Sequence, residues 1–360
     1  MKAAILREVG APLSVEPISV DNPRAGEVRI RTAAAGVCHS DLHAIEGTML
    51  MSPLPTALGH ESAGIVEAVG DGVHYVKPGD HVVTCLSVFC GHCEACLTGR
   101  AFSCMTDESA RGPGDPPRLS QDGEVIHQFI NLSSFADQLL IGQNALVKIR
   151  DDMPLDKAAL LGCGVTTGLG AVFNTAKVTP GSSVAVVGAG GVGLAAIQGA
   201  RIAGAARIVA VDVVGHKLEL ARELGATDVV DASSTDPVEA VRQLTGGGVE
   251  FGFEAIGLPQ TVRQMFDMTR GGGTATVIGI LPPMADIPMT GVDFMSSKRF
   301  QSSMMGGGSF RVEVPRYVEL CLQGQLRLDE MVSATLPLEK INDAFDAMKA
   351  GEVARSVVVF

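Results

Sequence analysis

The 360-residue sequence has no tryptophan and only two tyrosines, and aromatic residues make up just 4% of it. Its cores must therefore be built from aliphatic side chains. With 46% hydrophobic residues and 43 glycines, the composition suits an α/β protein made on Val, Ile and Ala strands and excludes a disordered chain. Cations are also scarce: 28 Lys and Arg against 40 Asp and Glu leave a formal net charge of -12. That balance repels phosphate backbones and anionic lipid, and no basic patch offsets it, so nucleic acid and membrane surfaces are poor partners. Long apolar runs are missing as well. MKAAILREVG is interrupted by Arg7 and Glu8 too early for a secretory leader, and the most apolar stretch, Gly193 to Val214, carries Gln198, Arg201 and Arg207. The expected location is the cytoplasm, where the eight cysteines point to metal or catalytic use rather than disulfides.

The chain is long enough for two domains. Its first third reads as short strands with turns: KAAIL, then EVRIRTAAAG, whose alternation predicts half-exposed sheet edges, with Pro23, Gly26, Pro78 and Gly79 as punctuation. From about Ser183 the pattern becomes strand, glycine-rich turn, helix, strand, and continues through ELARELGATDVVD, VEFGFEAIG and GGGTATVIGIL. This is the grammar of a doubly wound parallel sheet. After about Met305, PRYVELCLQG and INDAFDAMKAG read as helices. The apolar SVVVF at the end needs a sheet to join and is expected to return to the first domain.

Within GAGGVG, Gly188, Gly190 and Gly193 fall on the G-x-G-x-x-G pattern between an apolar strand and a helix. Such glycines give a tight turn, close approach of a pyrophosphate to backbone and close helix-to-strand packing, while the helix N-terminus offers its N–H groups to the phosphates. Asp212 ends the next strand about twenty residues on, where a carboxylate accepts from the adenosine ribose and repels a 2′-phosphate, so NAD is expected over NADP. Lys217 reads equally as a ribose partner or a solvated helix residue.

Cys90, Cys93, Cys96 and Cys104 form a C-x2-C-x2-C-x7-C run. Four thiolates so close in sequence can close a tetrahedral shell around one Zn²⁺ with no position left for substrate, which makes it a structural site. An iron–sulfur cluster is the rival, but Met105 stands where ferredoxins usually place Pro. A zinc ribbon that binds nucleic acid would use the same ligands, yet only Arg100 and Arg111 are nearby cations. His92, between the ligands, reads as a surface residue.

Cys38 in GVCHSDLH, His60 in GHESAGIVEAVG and Cys163 in LLGCGVTTG are far apart, and spacing alone does not show that they meet. Together with the cysteine run and GAGGVG, these motifs stand in the order found in zinc-containing medium-chain alcohol dehydrogenases. The sequence resembles that family over essentially its whole length, closest to the dimeric, long-loop, NAD-dependent group. The resemblance implies a mainly β GroES-like catalytic domain over 1–164, a Rossmann domain over 165–304 and a return to the catalytic domain over 305–360.

It further implies that Cys38, His60 and Cys163 hold a catalytic zinc, the Cys₂His set known for that family, beside the structural one. Glu61 would approach the metal during ligand exchange, and Asp41 would accept from the His60 imidazole. Ser40 would receive the alcohol proton and relay it through the nicotinamide ribose to His43, for which a hydrogen bond without proton transfer is the alternative. His39, where many relatives carry Arg, and Arg355 would face the cofactor pyrophosphate, with NADH binding weakening as pH rises and His39 loses its charge. Thr167 would buttress the nicotinamide, and Gly191, Val192, Ile278 and Ile280 would complete the cofactor contacts.

Met49, Leu86, Phe129, Phe135 and Ile280 would line a substrate channel, favouring aromatic, allylic or medium-chain primary alcohols. Thiol-dependent formaldehyde oxidation or nitrosothiol reduction is the rival activity. Its glutathione-using members place an Arg where this sequence has Glu108, although Arg111 and Arg118 are close by. The long segment from Met105 to His127 implies a dimer, paired through the strand around Arg299 to Met305.

Overall fold

The opening apolar run forms β1 (Lys2–Leu6), with Ala3 to Leu6 fully covered. EVRIRTAAAG becomes β2 (Glu27–Gly36), and here the structure departs from the half-exposed edge that its alternation predicts. β2 lies inside a seven-stranded sheet and pairs with three other strands, so that only Arg31 among its ten residues is exposed. The run of small residues from Ala33 to Gly36 lets neighbouring chains approach on both sides of the strand. The chain then passes through α1 (His39–Ile45), β3 (Ser62–Val69), β4 (His81–Thr84), β5 (Gln138–Gly142) and β6 (Leu146–Lys148). A computed structural model describes residues 1–49, 52–105, 110–112 and 114–360.

Two compact units result, Met1–Cys163 with Ser309–Phe360, and Gly164–Gly308. The chain thus crosses between them after Cys163 and after Gly308, against the expected crossings after 164 and 304. The second unit opens with α2 (Gly164–Gly170) and then alternates β7 (Ser183–Val187), α3 (Gly191–Ile202), β8 (Arg207–Asp212), α4 (Gly215–Leu224), β9 (Asp228–Asp231), α5 (Pro237–Thr245), β10 (Val249–Glu254), α6 (Pro259–Met268), β11 (Thr269–Val277) and β12 (Arg299–Ser302). All six strands are parallel, in the order β9-β8-β7-β10-β11-β12. That is the doubly wound Rossmann order, whose direction of travel reverses between β7 and β10. Its core is aliphatic, with Val187, Val211, Val241 and Val262 packed around Met265 and Phe266.

The C-terminal part returns to the first unit through α7 (Phe310–Leu322), β13 (Val332–Pro337), α8 (Ile341–Lys349) and β14 (Arg355–Val359). α7 begins before the expected Pro315, which sits inside it. The burial of Phe310, Val314, Tyr317 and Val318 offsets the one backbone hydrogen bond that the proline removes. β14 inserts beside β2, completing the order β6-β4-β3-β2-β14-β13, with β5 also on β2. Among the described residues no single helix is long and apolar enough to cross a membrane.

Candidate active site

The residue types at the end of β2 decide the local geometry. Val37 and Cys38 follow the strand directly, and α1 starts at His39 with Leu42, Ala44 and Ile45 turned into the core. Asp41 is buried on the same helix at 0% exposure, which a carboxylate tolerates only when it is bonded. One of its oxygens, Oδ1, receives the Gly59 N–H at 3.0 Å and faces His60 Nδ1 at 3.1 Å. The carboxylate thereby fixes the imidazole with its proton on Nδ1 and leaves the Nε2 lone pair free. His60 Nε2 is buried and has no hydrogen-bond partner.

That orphaned nitrogen points to a ligand. Cys38, His60, Glu61 and Cys163 each offer a ligand atom within 4.8 Å of the others, and all four are buried. Two thiols, an imidazole and a carboxylate form a donor set suited to Zn²⁺, so the residues fit the metal implied by the sequence. Without a cation, the same groups share protons. The Cys163 thiol, as hydrogen-bond donor, holds the Cys38 pKa well below the usual thiol range, helped by His60, and Cys163 itself is pushed well above it. Burial opposes the charge on His60, yet Asp41 and Cys38 beside it raise its pKa well above normal. A bound cation takes over the place of these protons.

Glu61 is held from two sides. Ser134 Oγ accepts its N–H at 3.2 Å, and the Arg355 guanidinium pairs with Glu61 Oε1. Burial pushes the Glu61 carboxyl up, while Arg355 pulls it down. Gly36 permits this pairing, because any side chain there would collide with the Glu61 carboxylate and crowd Arg355. Arg355 was expected at the pyrophosphate; the structure buries it at 5% exposure against Glu61, a partner that no sequence signal announced.

Around this cluster, Ser40 is half-buried with its Oγ 3.9 Å from Cys38 Sγ. His43 lies one turn further along α1, half-buried, and His39 is exposed with its ring 6.3 Å from that of His43. The rings of Phe129 and His60 meet in a T-shaped arrangement with centroids 5.9 Å apart, and Met49 and Leu86 are half-buried. Phe135, expected in the substrate channel, instead packs in the core against Phe345 at 6.1 Å with no exposed surface.

The cysteine run folds into a separate lobe. Cys90, Cys93, Cys96 and Cys104 bring their sulfurs within 4.8 Å of one another, all half-buried. Cys90 and Cys96 sulfurs are 3.9 Å apart, and those of Cys93 and Cys104 are 3.8 Å apart. A tetrahedron with metal–sulfur bonds of about 2.3 Å has edges of about 3.8 Å, so this lobe fits Zn²⁺. Behind it, Arg111 donates to Glu27 at 2.9 and 2.7 Å and Arg118 donates to the same carboxylate at 2.8 Å. These two cations are therefore engaged within the fold. Glu108 lies outside the described residues.

In the second unit, the loop after β7 has the expected shape. Gly188 has φ +98°, a side chain at Gly193 would strike the Gly188 carbonyl, and one at Gly190 would meet nothing within 4 Å. Gly190 caps α3 without a side chain, leaving the N–H groups of Gly191 and Val192 at the helix start. Asp212 accepts the Ala189 N–H at 2.7 Å and those of Val213 and Val214 at 2.8 and 3.0 Å, so it braces the loop as well as ending β8. Lys217 is half-buried on α4, Thr167 is buried with its hydroxyl 3.5 Å from Met305 Sδ, and Ile280 is 41% exposed. Ile278 is tied by its N–H to the Glu254 carbonyl at 2.8 Å.

Comparison with known proteins agrees with this geometry. Residues 24–151 match the profile of the alcohol dehydrogenase GroES-like domain, and residues 191–323 that of the zinc-binding dehydrogenases. Among solved structures, an alcohol dehydrogenase zinc-binding domain protein from Burkholderia ambifaria is 38% identical with a TM-score of 0.95, covering 100% of this chain and 98% of its own. Benzyl alcohol dehydrogenase from Acinetobacter calcoaceticus is 34% identical with a TM-score of 0.93, covering 100% of this chain and 99% of its own. A zinc-binding dehydrogenase from Sinorhizobium meliloti 1021, bound to NADP, is 28% identical with a TM-score of 0.83, covering 100% of this chain and 99% of its own.

Proposed function

The chain belongs to the zinc-containing medium-chain alcohol dehydrogenase family, and on that premise we propose that it oxidises a hydrophobic primary alcohol, aromatic, allylic or medium-chain, to its aldehyde with NAD, reversibly. The observation that carries this reading is the convergence of Cys38, His60 and Cys163 on one buried point with His60 Nε2 unpartnered. Zn²⁺ held by these residues would supply Lewis acidity to a substrate oxygen, and a bound nicotinamide would supply the hydride chemistry.

The protein's own groups do the rest. Ser40 Oγ takes the alcohol proton, and His43, three residues on along the same helix face, carries it toward solvent. Asp41 keeps His60 in the tautomer that would bind metal, and Arg355 balances the charge of Glu61, which would be a further donor during ligand exchange. Cys90, Cys93, Cys96 and Cys104 hold a second zinc that organises their lobe. Eight thiols without a disulfide suit a reducing compartment, and we place the protein in the cytoplasm.

NAD is preferred because the Asp212 carboxylate at the end of β8 repels a 2′-phosphate, although the Sinorhizobium relative binds NADP. The preference for a bulky apolar alcohol rests on Phe129 beside His60 and on the small Ser40, and the Acinetobacter relative acts on benzyl alcohol. A homodimer formed through β12 would cover the open edge of the six-stranded sheet, beside which Val292, Phe294 and Met295 are 73, 76 and 82% exposed.

The test is kcat/KM from ethanol through octanol and benzyl alcohol with each cofactor. The expected optimum is octanol or benzyl alcohol with NAD. An optimum at ethanol, a preference for NADP, or formaldehyde turnover that requires glutathione or mycothiol would overturn the assignment.

A further inference from the structure

Glu254 is a charged residue in an apolar strand. It ends β10 in register with Val187 of β7 and Val277 of β11, at the place where the strand order reverses and a dinucleotide crevice opens. The side chain has no exposed surface. Its Oε1 accepts the Ile256 N–H at 2.9 Å, the Gly257 N–H at 2.7 Å and the Thr261 hydroxyl at 2.8 Å, while Oε2 is buried without a partner. Burial pushes the carboxyl pKa up, and the Gly257 N–H and Thr261 hydroxyl oppose that. A carboxylate placed here at such cost has to be holding something.

What it holds is the turn from Ala255 to Gly257. The Ala255 N–H donates to the Val187 carbonyl at 2.8 Å, which lays the turn across the end of β7. A side chain at Gly188 would collide with Ile256, and one at Gly257, where φ is +93°, would collide with the Ile280 carbonyl. The Ile278 and Gly279 N–H groups both donate to the Glu254 carbonyl, at 2.8 and 3.0 Å. One residue thus fixes, through its side chain and its main chain, both the turn beside the first glycine of the phosphate loop and the segment leading to Ile280.

We infer that Glu254 is a positioning residue for the dinucleotide: it sets the crevice wall formed by Ala255–Gly257 and Ile278–Ile280 against the glycine loop without touching the cofactor. The inference rests on reading that loop as the nicotinamide dinucleotide site. Glu254→Gln keeps the size of the side chain but replaces a charged acceptor by a neutral one and buries an unpaired N–H group.

Titration of NADH and NADPH by their own fluorescence, with the zinc-loaded protein, gives the test. Glu254→Gln is expected to raise the Kd of the preferred cofactor roughly tenfold, and Thr261→Val, which removes one donor, about threefold. The loss should appear in the Kd and KM of the cofactor more than in kcat. Wild-type protein that binds neither dinucleotide would overturn the reading of the loop. Wild-type affinity retained in both variants, with only a lower melting temperature, would overturn the role of Glu254. Should Glu254→Gln fail to fold, Thr261→Val decides alone by its Kd.

Discussion

Two clusters of side chains that could each hold a metal ion lie in the first unit and are built in opposite ways. The lobe of Cys90, Cys93, Cys96 and Cys104 uses neighbours in sequence, half-buried, whose sulfurs satisfy one another's geometry and leave no position open. Cys38, His60, Glu61 and Cys163 are buried and come from three remote stretches of sequence, and two of them are held by residues outside the cluster: Asp41 behind His60, Arg355 and Ser134 behind Glu61. A closed site can be made by a short loop, because only the ligands have to be right. An open, reactive one needs the packing of a whole sheet, because its empty position has to be kept dry, polar and correctly aimed.

The largest effect should come from breaking the open cluster. Cys38→Ser is expected to lower turnover by on the order of a thousandfold, since several kcal/mol of charge stabilisation leave with the metal. The melting temperature should stay close to wild type, because the closed lobe keeps its own ligands. Steady-state kinetics and calorimetry on the same preparation check both parts, and near-normal turnover would remove the distinction between the two sites.

A smaller effect sharpens the comparison by cutting what joins the two regions. Glu27 begins β2, the strand that leads to Cys38, and its carboxylate receives Arg111 and Arg118 from the segment after the cysteine lobe. Burial works against its charge, but Arg111, the Arg24 N–H and Arg118 bring its pKa down from 4.5 to about 2. Because the folded value is the lower one, the carboxylate contributes stability that is fully present above pH 4.5 and is lost as pH falls through about 2. The contribution is on the order of 3 kcal/mol. Glu27→Gln should therefore lower the melting temperature at neutral pH, and the gap from wild type should close as the solution is acidified. A gap that does not change with pH would mean that the pairing does not stabilise the fold.

The sequence was most legible where function depends on neighbours. The cysteine spacing announced the closed lobe, and strand, GAGGVG and Asp212 together announced the glycine loop, because in both cases a few consecutive residues determine the geometry. The open cluster was not legible in that way: Cys38, His60 and Cys163 were joined only by family resemblance. Least visible were the supports. Arg355 meets Glu61 across 294 positions, and nothing local in the sequence announces that pairing. The same blindness put β2 at a sheet edge, since alternation shows which side chains point inward but not how many strands will flank them. Phe135 went the same way, an apolar residue whose partner, Phe345, comes from the far end of the chain. Glu254 did leave a sign, a carboxylate closing the apolar strand VEFGFE beside the glycine loop.

The most direct test of two independent metal sites is zinc content per subunit, measured in wild type, Cys38→Ser and Cys93→Ser. The account predicts two equivalents in wild type. It predicts one in Cys38→Ser, with the lobe from Cys90 to Cys104 still resistant to protease, and one in Cys93→Ser, with that lobe cleaved. A single equivalent in wild type, unaffected by Cys38→Ser and lost in Cys93→Ser, would contradict it.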